Sequence, residues 1–313
     1  MTKELVFGHK NPDTDAIAAA IGLAYLEKQD GYDTEAVALG PVNAETKFVL
    51  DYFGVKAPRI VEAARPETDK VMLVDHNEPQ QSISDIAELT VTHVVDHHRI
   101  SGFETAKPLY YRAAPYGCCS TILTQMYSEE GIDIPKEIAG LMMSAIISDT
   151  LLLKSPTTTA IDRDALQALA DIAGVDNYEE YGIKMLKAGT NVDAKSDKEL
   201  IDGDAKSFVL GGKNVRIDQI NVVDLEDINK RLPEIKKAME TESKEENYDL
   251  FLVLATNVLT SNSELIIVGE PKDLVEKAFN NKFADNDVMN LPGVVSRKKQ
   301  VVPPLTEQLD PEK

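Results

Sequence analysis

Short apolar segments alternate with helix-like segments through the N-terminal third of the chain. The runs "ELVFG" and "KVMLVDHN" read as buried strands, and the Ala-rich run "AIAAAIGLAYLEKQ" between them favours a helix. "ISDIAELT" followed by "THVVDHH" repeats the helix-then-strand order. This alternation is typical of a mostly parallel sheet with helices on both faces, so the sequence predicts an α/β N-terminal domain.

A Gly-, Asn- and Asp-rich segment, "KAGTNVDAKSD", lacks periodicity and marks a predicted domain boundary. Beyond it, strand-like runs mix with a charged helix, which predicts a smaller mixed α/β C-terminal domain. The basic run "SRKKQVVPPL" is predicted to be a strand. The predicted parts are an N-terminal domain 1–188, a linker 189–195, a C-terminal domain 196–309 and a tail 310–313.

Composition narrows the class of protein. The chain has 313 residues, with 33 Lys and Arg against 53 Asp and Glu, a formal charge of −20. Such an acidic surface disfavours nonspecific binding to nucleic acid, and no apolar run has the length of a membrane span. The N-terminus lacks the apolar core of a signal peptide, and the two cysteines are adjacent. We therefore expect a cytoplasmic protein that binds neither membranes nor nucleic acid.

Histidines and aspartates cluster where the predicted strands end. All five histidines lie within residues 9–98, and four of them belong to clusters with aspartates. The clusters are "GHKNPDTDA" with His9, Asp13 and Asp15, "VDHN" with Asp75, "VVDHH" with Asp96, His97 and His98, and "ISDT" with Asp149. Because ligands bind at the carboxyl ends of the strands in open α/β sheets, these clusters predict a metal site at one sheet edge.

Individual residues of these clusters also have simpler interpretations. Asp15 alone is equally well explained as the N-cap of the following helix. His93 has no aspartate beside it in sequence, and His76 would face away from Asp75 on a continued strand, so both are read as structural. The clustering of the other residues is what favours a metal site.

The candidate donors are carboxylate oxygens and imidazole nitrogens, which favour Mn²⁺ or Mg²⁺, with Co²⁺ as an alternative, over a zinc–thiolate site. Asp13, Asp15, Asp75 and Asp149 carry four negative charges, which two divalent ions would balance. Two such ions can lower the pKa of a shared water and make hydroxide available at neutral pH.

A compensating basic run lies near the C-terminus, where Arg297, Lys298 and Lys299 are consecutive. Strand alternation would place Arg297 and Lys299 on one face, and Lys206 could join them. Guanidinium and ammonium groups suit a phosphate-rich ligand, although an ordinary solvated edge strand is the simpler explanation. Together with the metal clusters, this run indicates a two-metal phosphoryl hydrolase.

The segments "GHKNPDTDA", "VDHN", "VVDHH", "ISDT" and "SRKKQ", in this order over essentially the whole chain, closely resemble the family II inorganic pyrophosphatases. This family is the manganese-dependent branch of the Asp-His-His phosphoesterase superfamily. The Asp-His-His signature alone marks only the superfamily, whereas its combination with "SRKKQ" is far more specific. The resemblance implies that the chain is a hydrolase that cleaves pyrophosphate into two phosphates.

The resemblance also implies roles for particular residues. One metal would be held by His9, Asp13 and Asp75, and the other by Asp15, Asp75, His97 and Asp149. Asp96 would orient an imidazole. The catalytic and pyrophosphate-binding side chains would be those of His98, Lys206, Arg297 and Lys298. The family pattern thus favours Lys298 over Lys299, against the strand alternation, and a bend or bulge would reconcile the two.

By the same resemblance, each subunit would bind two Mn²⁺ ions, with Co²⁺ as an alternative and further Mg²⁺ arriving with pyrophosphate. A hydroxide that bridges the two metals would attack phosphorus at a site between the two domains. Family members are homodimers that associate through the N-terminal domain, and this chain is expected to do the same.

Two other functions fit the same sequence pattern. A short-chain polyphosphatase or oligonucleotide phosphodiesterase would share the metal clusters, but nucleic-acid-degrading relatives carry a Gly-rich, His-containing motif in the second domain. Here "LGGKNV" has no histidine, and none occurs after His98. A regulator that binds Mn²⁺ without releasing phosphate is the alternative from another class.

Overall fold

The computed structural model describes residues 3–310 and divides into two compact units, the first ending at Gly189 and the second beginning at Thr190. The segment assigned to the linker contains the end of a helix and a short 3₁₀ turn, Val192–Ala194. The domain bounds 1–188 and 196–309 and the linker 189–195 stay predictions. Apart from Asp310, the predicted tail lies outside the described residues.

The first unit contains a five-stranded sheet in the order β2-β1-β3-β4-β5, and every neighbouring pair is parallel. The strands are β1 (Glu4–Phe7), β2 (Thr34–Ala36), β3 (Lys70–Val74), β4 (Thr90–Asp96) and β5 (Tyr110–Ala113). All of β1 and four of the five residues of β3 are buried, so both faces of these central strands are covered. The predicted parallel α/β fold is confirmed.

Among the described residues, the first unit contains six α-helices. They are α1 (Thr14–Gln29), α2 (Ala44–Phe53), α3 (Cys119–Glu130), α4 (Lys136–Thr150), α5 (Ala160–Ala173) and α6 (Tyr178–Thr190). The small residues of α1 allow close packing: a Cβ at Gly22 would lie 3.2 Å from Met142 of α4 and 3.4 Å from Leu123 of α3. No helix among residues 3–310 combines the length and apolar character that crossing a bilayer needs.

The predicted helix "ISDIAELT" is wrong. The chain between β3 and β4 forms only two short 3₁₀ turns, Pro79–Gln81 and Ile86–Glu88. Asp85 explains the difference, because its carboxylate accepts hydrogen bonds from the backbone N–H groups of Ala64 and Arg65. This side chain therefore ties the connection to a distant loop and does not begin a helix.

The second unit contains a mixed sheet in the order β10-β9-β8-β7-β6, in which only β7 and β8 are parallel. Its strands are β6 (Lys206–Leu210), β7 (Lys213–Val222), β8 (Leu250–Asn257), β9 (Asn262–Gly269) and β10 (Val288–Pro292). Its helices are α7 (Asp197–Asp202), α8 (Glu226–Asn229), α9 (Leu232–Glu246), α10 (Lys272–Phe279) and α11 (Val302–Leu309). The predicted mixed α/β character of this part is confirmed.

The basic run is helical, so the predicted strand "SRKKQVVPPL" is wrong. Ser296 begins a π-helical turn, Arg297–Val301, that continues directly into α11. The Ser296 hydroxyl accepts a hydrogen bond from the Lys299 N–H. The two prolines that follow lie in the first turn of α11, where a missing N–H is tolerated. Successive residues of such a turn point in different directions, so the alternation argument for Lys299 does not apply.

Candidate metal centre and basic segment

The carboxyl ends of β1, β3 and β4 lie side by side because these strands are parallel neighbours. The loop after β1 carries His9 and leads into α1, whose first turn lies against the strand end. Gly8 permits this approach, since a Cβ there would lie 2.5 Å from the Cβ of Ala16 and 2.7 Å from its Cα. Local packing thus brings the His9–Asp15 loop next to the residues that follow β3 and β4.

The first group of donors consists of His9, Asp13 and Asp75. His9 Nε2 lies 3.5 Å from Asp13 Oδ2 and 3.4 Å from Asp75 Oδ2. His9 Nδ1 donates to the carbonyl oxygen of Lys10 at 2.8 Å, which leaves Nε2 to face the carboxylates. Asp13 also caps α1 by accepting from the Ala16 N–H at 3.0 Å.

The second group of donors consists of Asp15, His97 and Asp149. His97 Nε2 lies 3.2 Å from Asp75 Oδ1 and 3.9 Å from Asp149 Oδ2. His97 Nδ1 donates to the carbonyl oxygen of Tyr116, again leaving Nε2 toward the cluster. The structure therefore brings together all six side chains predicted as metal ligands: His9, Asp13, Asp15, Asp75, His97 and Asp149.

Asp75 lies between the two groups and faces each with a different oxygen. It is 2 % exposed, and its φ of 58° is in the left-handed region that a non-glycine residue rarely adopts. Asp75 Oδ1 is buried without a hydrogen-bond partner among the described residues. A buried acceptor of this kind requires a partner, and a cation shared by the two groups would supply one.

The electrostatics of the cluster reveal a deficit of positive charge. Burial and the neighbouring Asp75 raise the pKa of Asp15 to about 6, and burial together with Asp15 and Asp75 also raises the pKa of Asp149. Burial opposes charge on His9, but Asp13 and Asp75 outweigh it and raise the pKa of His9 to about 11. Protonated imidazoles thus partly neutralise the four carboxylates, a role that divalent cations would fill without protons.

Asp15 does not cap its own helix, contrary to the simpler interpretation of the sequence. Its carboxylate accepts from the backbone N–H groups of Cys119 and Ser120 and from the Ser120 hydroxyl, at 2.6, 3.1 and 2.6 Å. These groups form the N-terminus of α3, so Asp15 joins the starts of two helices. The contact fixes the orientation of Asp15 within the second donor group.

His98 is held by Asp96, and its Nδ1 also lies 3.6 Å from Asp75 Oδ1, the oxygen that faces His97. Asp96 is fully buried, and its Oδ1 accepts from both Nδ1 and the backbone N–H of His98, each at 3.0 Å. The Asn77 amide donates to Asp96 Oδ2 at 2.6 Å. The hydrogen bond with Asp96 raises the pKa of His98. Asp96 therefore orients an imidazole, and that imidazole belongs to His98.

The other two histidines stay out of the cluster. His76 is buried, with Nδ1 donating to the Val74 carbonyl oxygen and Nε2 lying 3.1 Å from the Ser82 hydroxyl. His93 lies on β4 beside Glu27, with 3.7 Å between Nε2 and the carboxylate. Neither belongs to a donor group of the metal cluster.

An open cavity of about 740 Å³ in the first unit is lined by Asp13, Asp75, His97 and His98. Asp149, another predicted ligand, also lines it, and the rest of the wall was not selected from the sequence: Arg99, Pro115, Tyr116, Gly117 and the loop from Ser155 to Thr159. Arg99 directly follows the Asp-His-His signature, and the loop stands out in sequence only by its serine, proline and threonines. Such a polar cavity has room for a small phosphate compound.

Asp162 is another residue of this region that was not selected from the sequence. It is fully buried and accepts from the Gly117 N–H, from the Thr121 hydroxyl and from both the backbone N–H and the hydroxyl of Thr159. It thus fixes two of the cavity walls, one of which includes the Tyr116 carbonyl that orients His97. The signal in the sequence is the capping-box spacing from Thr159 to Asp162.

In the second unit, the predicted phosphate-binding side chains differ in their exposure. Lys206 and Lys298 are exposed, whereas the Arg297 side chain is 12 % exposed and lies against Asp204. Arg297 Nη2 lies 3.1 Å from Asp204 Oδ1, and Nη1 donates to the Asp204 carbonyl oxygen. Asp204 precedes Lys206 by two residues, so the loop before β6 and the basic turn contact each other.

Both parts of the chain match known protein families. Residues 3–146 match the family model described as "DHH family, N-terminal domain", and residues 183–308 match the "DHHA2 domain". This chain therefore has the architecture of a DHH-family protein with a DHHA2 domain. A parallel sheet with Asp and His at its carboxyl edge is followed by a mixed α/β part.

Close relatives define the family more narrowly. The chain is 64 % identical over 312 residues to a Lactobacillus gasseri protein named "Probable manganese-dependent inorganic pyrophosphatase", with 99 % of this chain and all of that protein covered. A Lactiplantibacillus plantarum protein of the same name is 62 % identical over 307 residues, covering 98 % and 99 %. The chain belongs to the manganese-dependent, family II inorganic pyrophosphatases, which confirms the resemblance seen in its motifs.

Solved structures agree with this assignment. A crystal structure of a Methanococcus jannaschii protein, described as a family II inorganic pyrophosphatase, is 41 % identical, with a TM-score of 0.61 and coverage of 98 % and 99 %. An exopolyphosphatase-related protein from Bacteroides fragilis is 15 % identical, with a TM-score of 0.51 and coverage of 98 % and 91 %, and it shares the fold alone.

Proposed function

We propose that this chain hydrolyses inorganic pyrophosphate, P₂O₇⁴⁻ + H₂O → 2 HPO₄²⁻, with two Mn²⁺ ions per subunit. The observation that carries the proposal is the position of Asp75, one oxygen of which faces His9 while the other faces His97. His9, Asp13 and Asp75 would hold one ion, and Asp15, Asp75, His97 and Asp149 the other. The donors are carboxylate oxygens and imidazole nitrogens, a set that supports Mn²⁺, with Co²⁺ as an alternative.

Two bound ions would supply a nucleophilic hydroxide at neutral pH and neutralise charge on the phosphate. The chain's own residues orient these groups. His97 and His9 each present Nε2 because a backbone carbonyl accepts from Nδ1. His98, held by Asp96, lines the cavity and would lie near the departing phosphate, where a proton on its ring stabilises the developing charge.

Lys206, Arg297 and Lys298 of the second unit would bind the pyrophosphate and offset charge on its peripheral oxygens. Four negative charges on pyrophosphate exceed what these cations supply, so further Mg²⁺ is expected to accompany the substrate. Binding would then require the second unit to close on the cavity of the first and exclude water. The clustering of these cations within a chain of net charge −20 supports this assignment.

Phosphate release measured on the purified protein tests the proposal. With Mn²⁺, we expect rapid release from pyrophosphate and much slower release from tripolyphosphate and dinucleotides, and the metal-stripped protein should be inactive until Mn²⁺ is restored. Faster cleavage of tripolyphosphate or a dinucleotide would favour the polyphosphatase or phosphodiesterase alternative. Binding of Mn²⁺ with no phosphate release from any substrate would favour a regulator.

A cytoplasmic homodimer that associates through the first unit is part of the proposal. Cys118 and Cys119 are both buried, free thiols, which suits a reducing compartment. Strand β5 is one of the two edge strands of the first sheet, and its Tyr110 is 42 % exposed, so a second copy could continue the sheet there. Sedimentation analysis should give twice the monomer mass, and Tyr111→Pro on β5 should give monomers.

A further inference from the structure

The side chain of Gln219, on β7, bridges two backbone groups near the basic turn, Arg297–Val301. One belongs to Val295, just before the turn, and the other to Arg297, its first residue. Gln219 Oε1 accepts from the Arg297 N–H at 3.0 Å, and its Nε2 donates to the Val295 carbonyl oxygen at 2.9 Å. Nε2 also lies 3.3 Å from the Thr256 hydroxyl of β8. The amide therefore connects the central strands of the second sheet to the backbone on either side of Ser296.

Only a primary amide of this length satisfies both backbone groups. A glutamate could accept from Arg297 but could not donate to Val295, and a methionine of similar shape could do neither. The bridge matters because residues 293–296 lie outside the regular sheet and helices. Their backbone groups depend on side chains for partners.

Gln300 provides a second amide bridge from the opposite side. Its Oε1 accepts from the Val295 N–H and its Nε2 donates to the Gly293 carbonyl oxygen, each at 2.9 Å. The two amides together fix the backbone from Gly293 to Arg297. Gln300 belongs to the recognised "SRKKQ" run, whereas Gln219 lies almost eighty residues earlier and in no motif of the sequence.

We propose that Gln219 is a positioning residue for pyrophosphate binding: it fixes the backbone from which Arg297 and Lys298 extend. This inference rests on the proposed function, because it assigns Arg297 and Lys298 to the substrate. A guanidinium binds phosphate in a directional, bidentate way, so its base must be held within a fraction of an ångström. Without the bridge, the turn would have to become ordered each time pyrophosphate binds, and the entropy lost in that ordering would weaken binding.

The test compares Gln219→Met and Gln219→Glu with the same two substitutions at Gln167, an exposed glutamine of α5 in the first unit. On the full-length, Mn²⁺-loaded protein, KM and kcat are measured for pyrophosphate, and Kd for imidodiphosphate, its non-hydrolysable analogue. Mn²⁺ affinity is measured separately by electron paramagnetic resonance, because the donor groups lie in the first unit.

For Gln219→Met we expect KM and the analogue Kd to rise about 10-fold, as loss of two hydrogen bonds predicts, with kcat reduced less than about 3-fold and Mn²⁺ affinity unchanged. Gln219→Glu should weaken binding further, because its charge repels both the Val295 carbonyl and the phosphate. The Gln167 variants should behave like the unaltered protein. If Gln219→Met does not fold, Gln219→Glu decides by the same criteria.

Unchanged KM and Kd in a Gln219 variant whose unfolding midpoint falls would show a purely structural role and overturn the inference. An equal loss of Mn²⁺ affinity would also overturn it, because the effect would then lie at the metal centre. Failure of the proposed function looks different: the unaltered protein itself would neither bind imidodiphosphate nor hydrolyse pyrophosphate.

Discussion

At the scale of single residues, the donor cluster depends most on Asp75. Its backbone N–H donates to the Val95 carbonyl oxygen at 3.0 Å, which ties the residue after β3 to the neighbouring strand. In its left-handed conformation, Asp75 directs one carboxylate oxygen to His9 and the other to His97. Burial opposes charge on Asp75, but His9 and His97 outweigh it and lower its pKa to about 2. The residue is therefore a fixed carboxylate shared by both donor groups.

Asp75→Ala should remove pyrophosphate hydrolysis and Mn²⁺ binding together. We expect turnover to fall by roughly 10³-fold or more, since both proposed ions lose a ligand. Asp69→Ala is the matched control, because Asp69 is exposed and lies at the opposite end of the same strand. Phosphate release and Mn²⁺ titration measure the effect. Near-normal turnover in folded Asp75→Ala protein would contradict the metal assignment.

Glu27 is a buried carboxylate outside the donor cluster. Burial, together with the carboxylates of Glu130, Asp30 and Glu4, raises its pKa to about 7 from the ordinary 4.5. Because the folded-state pKa is the higher one, the stabilising contribution of Glu27 is present below pH 4.5 and is lost as pH rises through about 7. Ionised Glu27 thus destabilises the fold at alkaline pH.

Glu27→Gln should therefore raise the free energy of unfolding by an amount that grows with pH. We expect a small gain at pH 5 and a gain about 1–2 kcal/mol larger at pH 8, measured by urea unfolding. Glu62→Gln, at an exposed loop position, provides the control and should show no such growth. Equal gains for Glu27→Gln at both pH values would refute the raised pKa.

At the scale of elements, close packing between β1 and α1 determines where the first donor loop lies. The helix begins at Thr14, capped by Asp13, and reaches the strand end because Gly8 has no side chain. Glu45 of α2 adds a second constraint by accepting from the Thr14 and Ser148 hydroxyls at 2.7 and 2.6 Å. The helices that carry Asp13, Asp15 and Asp149 are thus joined to one another beside the cluster.

Gly8→Ala should displace α1, because the new Cβ would meet backbone atoms that cannot move independently. We expect a loss of about 1–3 kcal/mol of unfolding free energy, as overpacking commonly costs, and weaker Mn²⁺ binding. Gly22→Ala on the same helix is the control. Its Cβ would meet the flexible end of Met142, so the effect should stay within about 1 kcal/mol. Similar stability and Mn²⁺ affinity in both variants would contradict this view of the packing.

At the scale of the whole molecule, charge is divided between the two units. The first carries the acidic donor cluster, and the second carries the basic turn, with Arg297 against Asp204. A net charge of −20 favours solubility, but it makes the carboxylate cluster costly to assemble without cations. Cation binding should therefore contribute to folding stability as well as to chemistry.

Mn²⁺ should raise the thermal unfolding midpoint of the metal-stripped protein. At a free concentration of about 100 times Kd, a single site adds about 2.7 kcal/mol, and a second ion adds more. Since the chain has no tryptophan, tyrosine fluorescence or circular dichroism can follow the transition. Asp75→Ala should show little of this shift. A shift of equal size in that variant would place the stabilising ions elsewhere.

Much of the fold and of the candidate site could be predicted from the sequence. Strand–helix alternation predicted the parallel sheet, and parallel strands place their carboxyl ends at one edge. The clusters around His9, Asp75 and His97 were therefore expected to meet, and they do. Strand β5, at one edge of the sheet, was missed, because its "YYRA" segment is too short and too polar to stand out.

Local periodicity and residue type were enough to predict most of the elements of the first unit, the chemistry of the donors and their position at strand ends. Tertiary structure alone decided that Asp15 caps α3, that Asp162 fixes the cavity walls, and that Gln219 holds a basic turn that is helical. The physical reason is that each of these hydrogen bonds joins groups far apart in the chain. Such pairs are set by how the elements pack, and no local pattern encodes them.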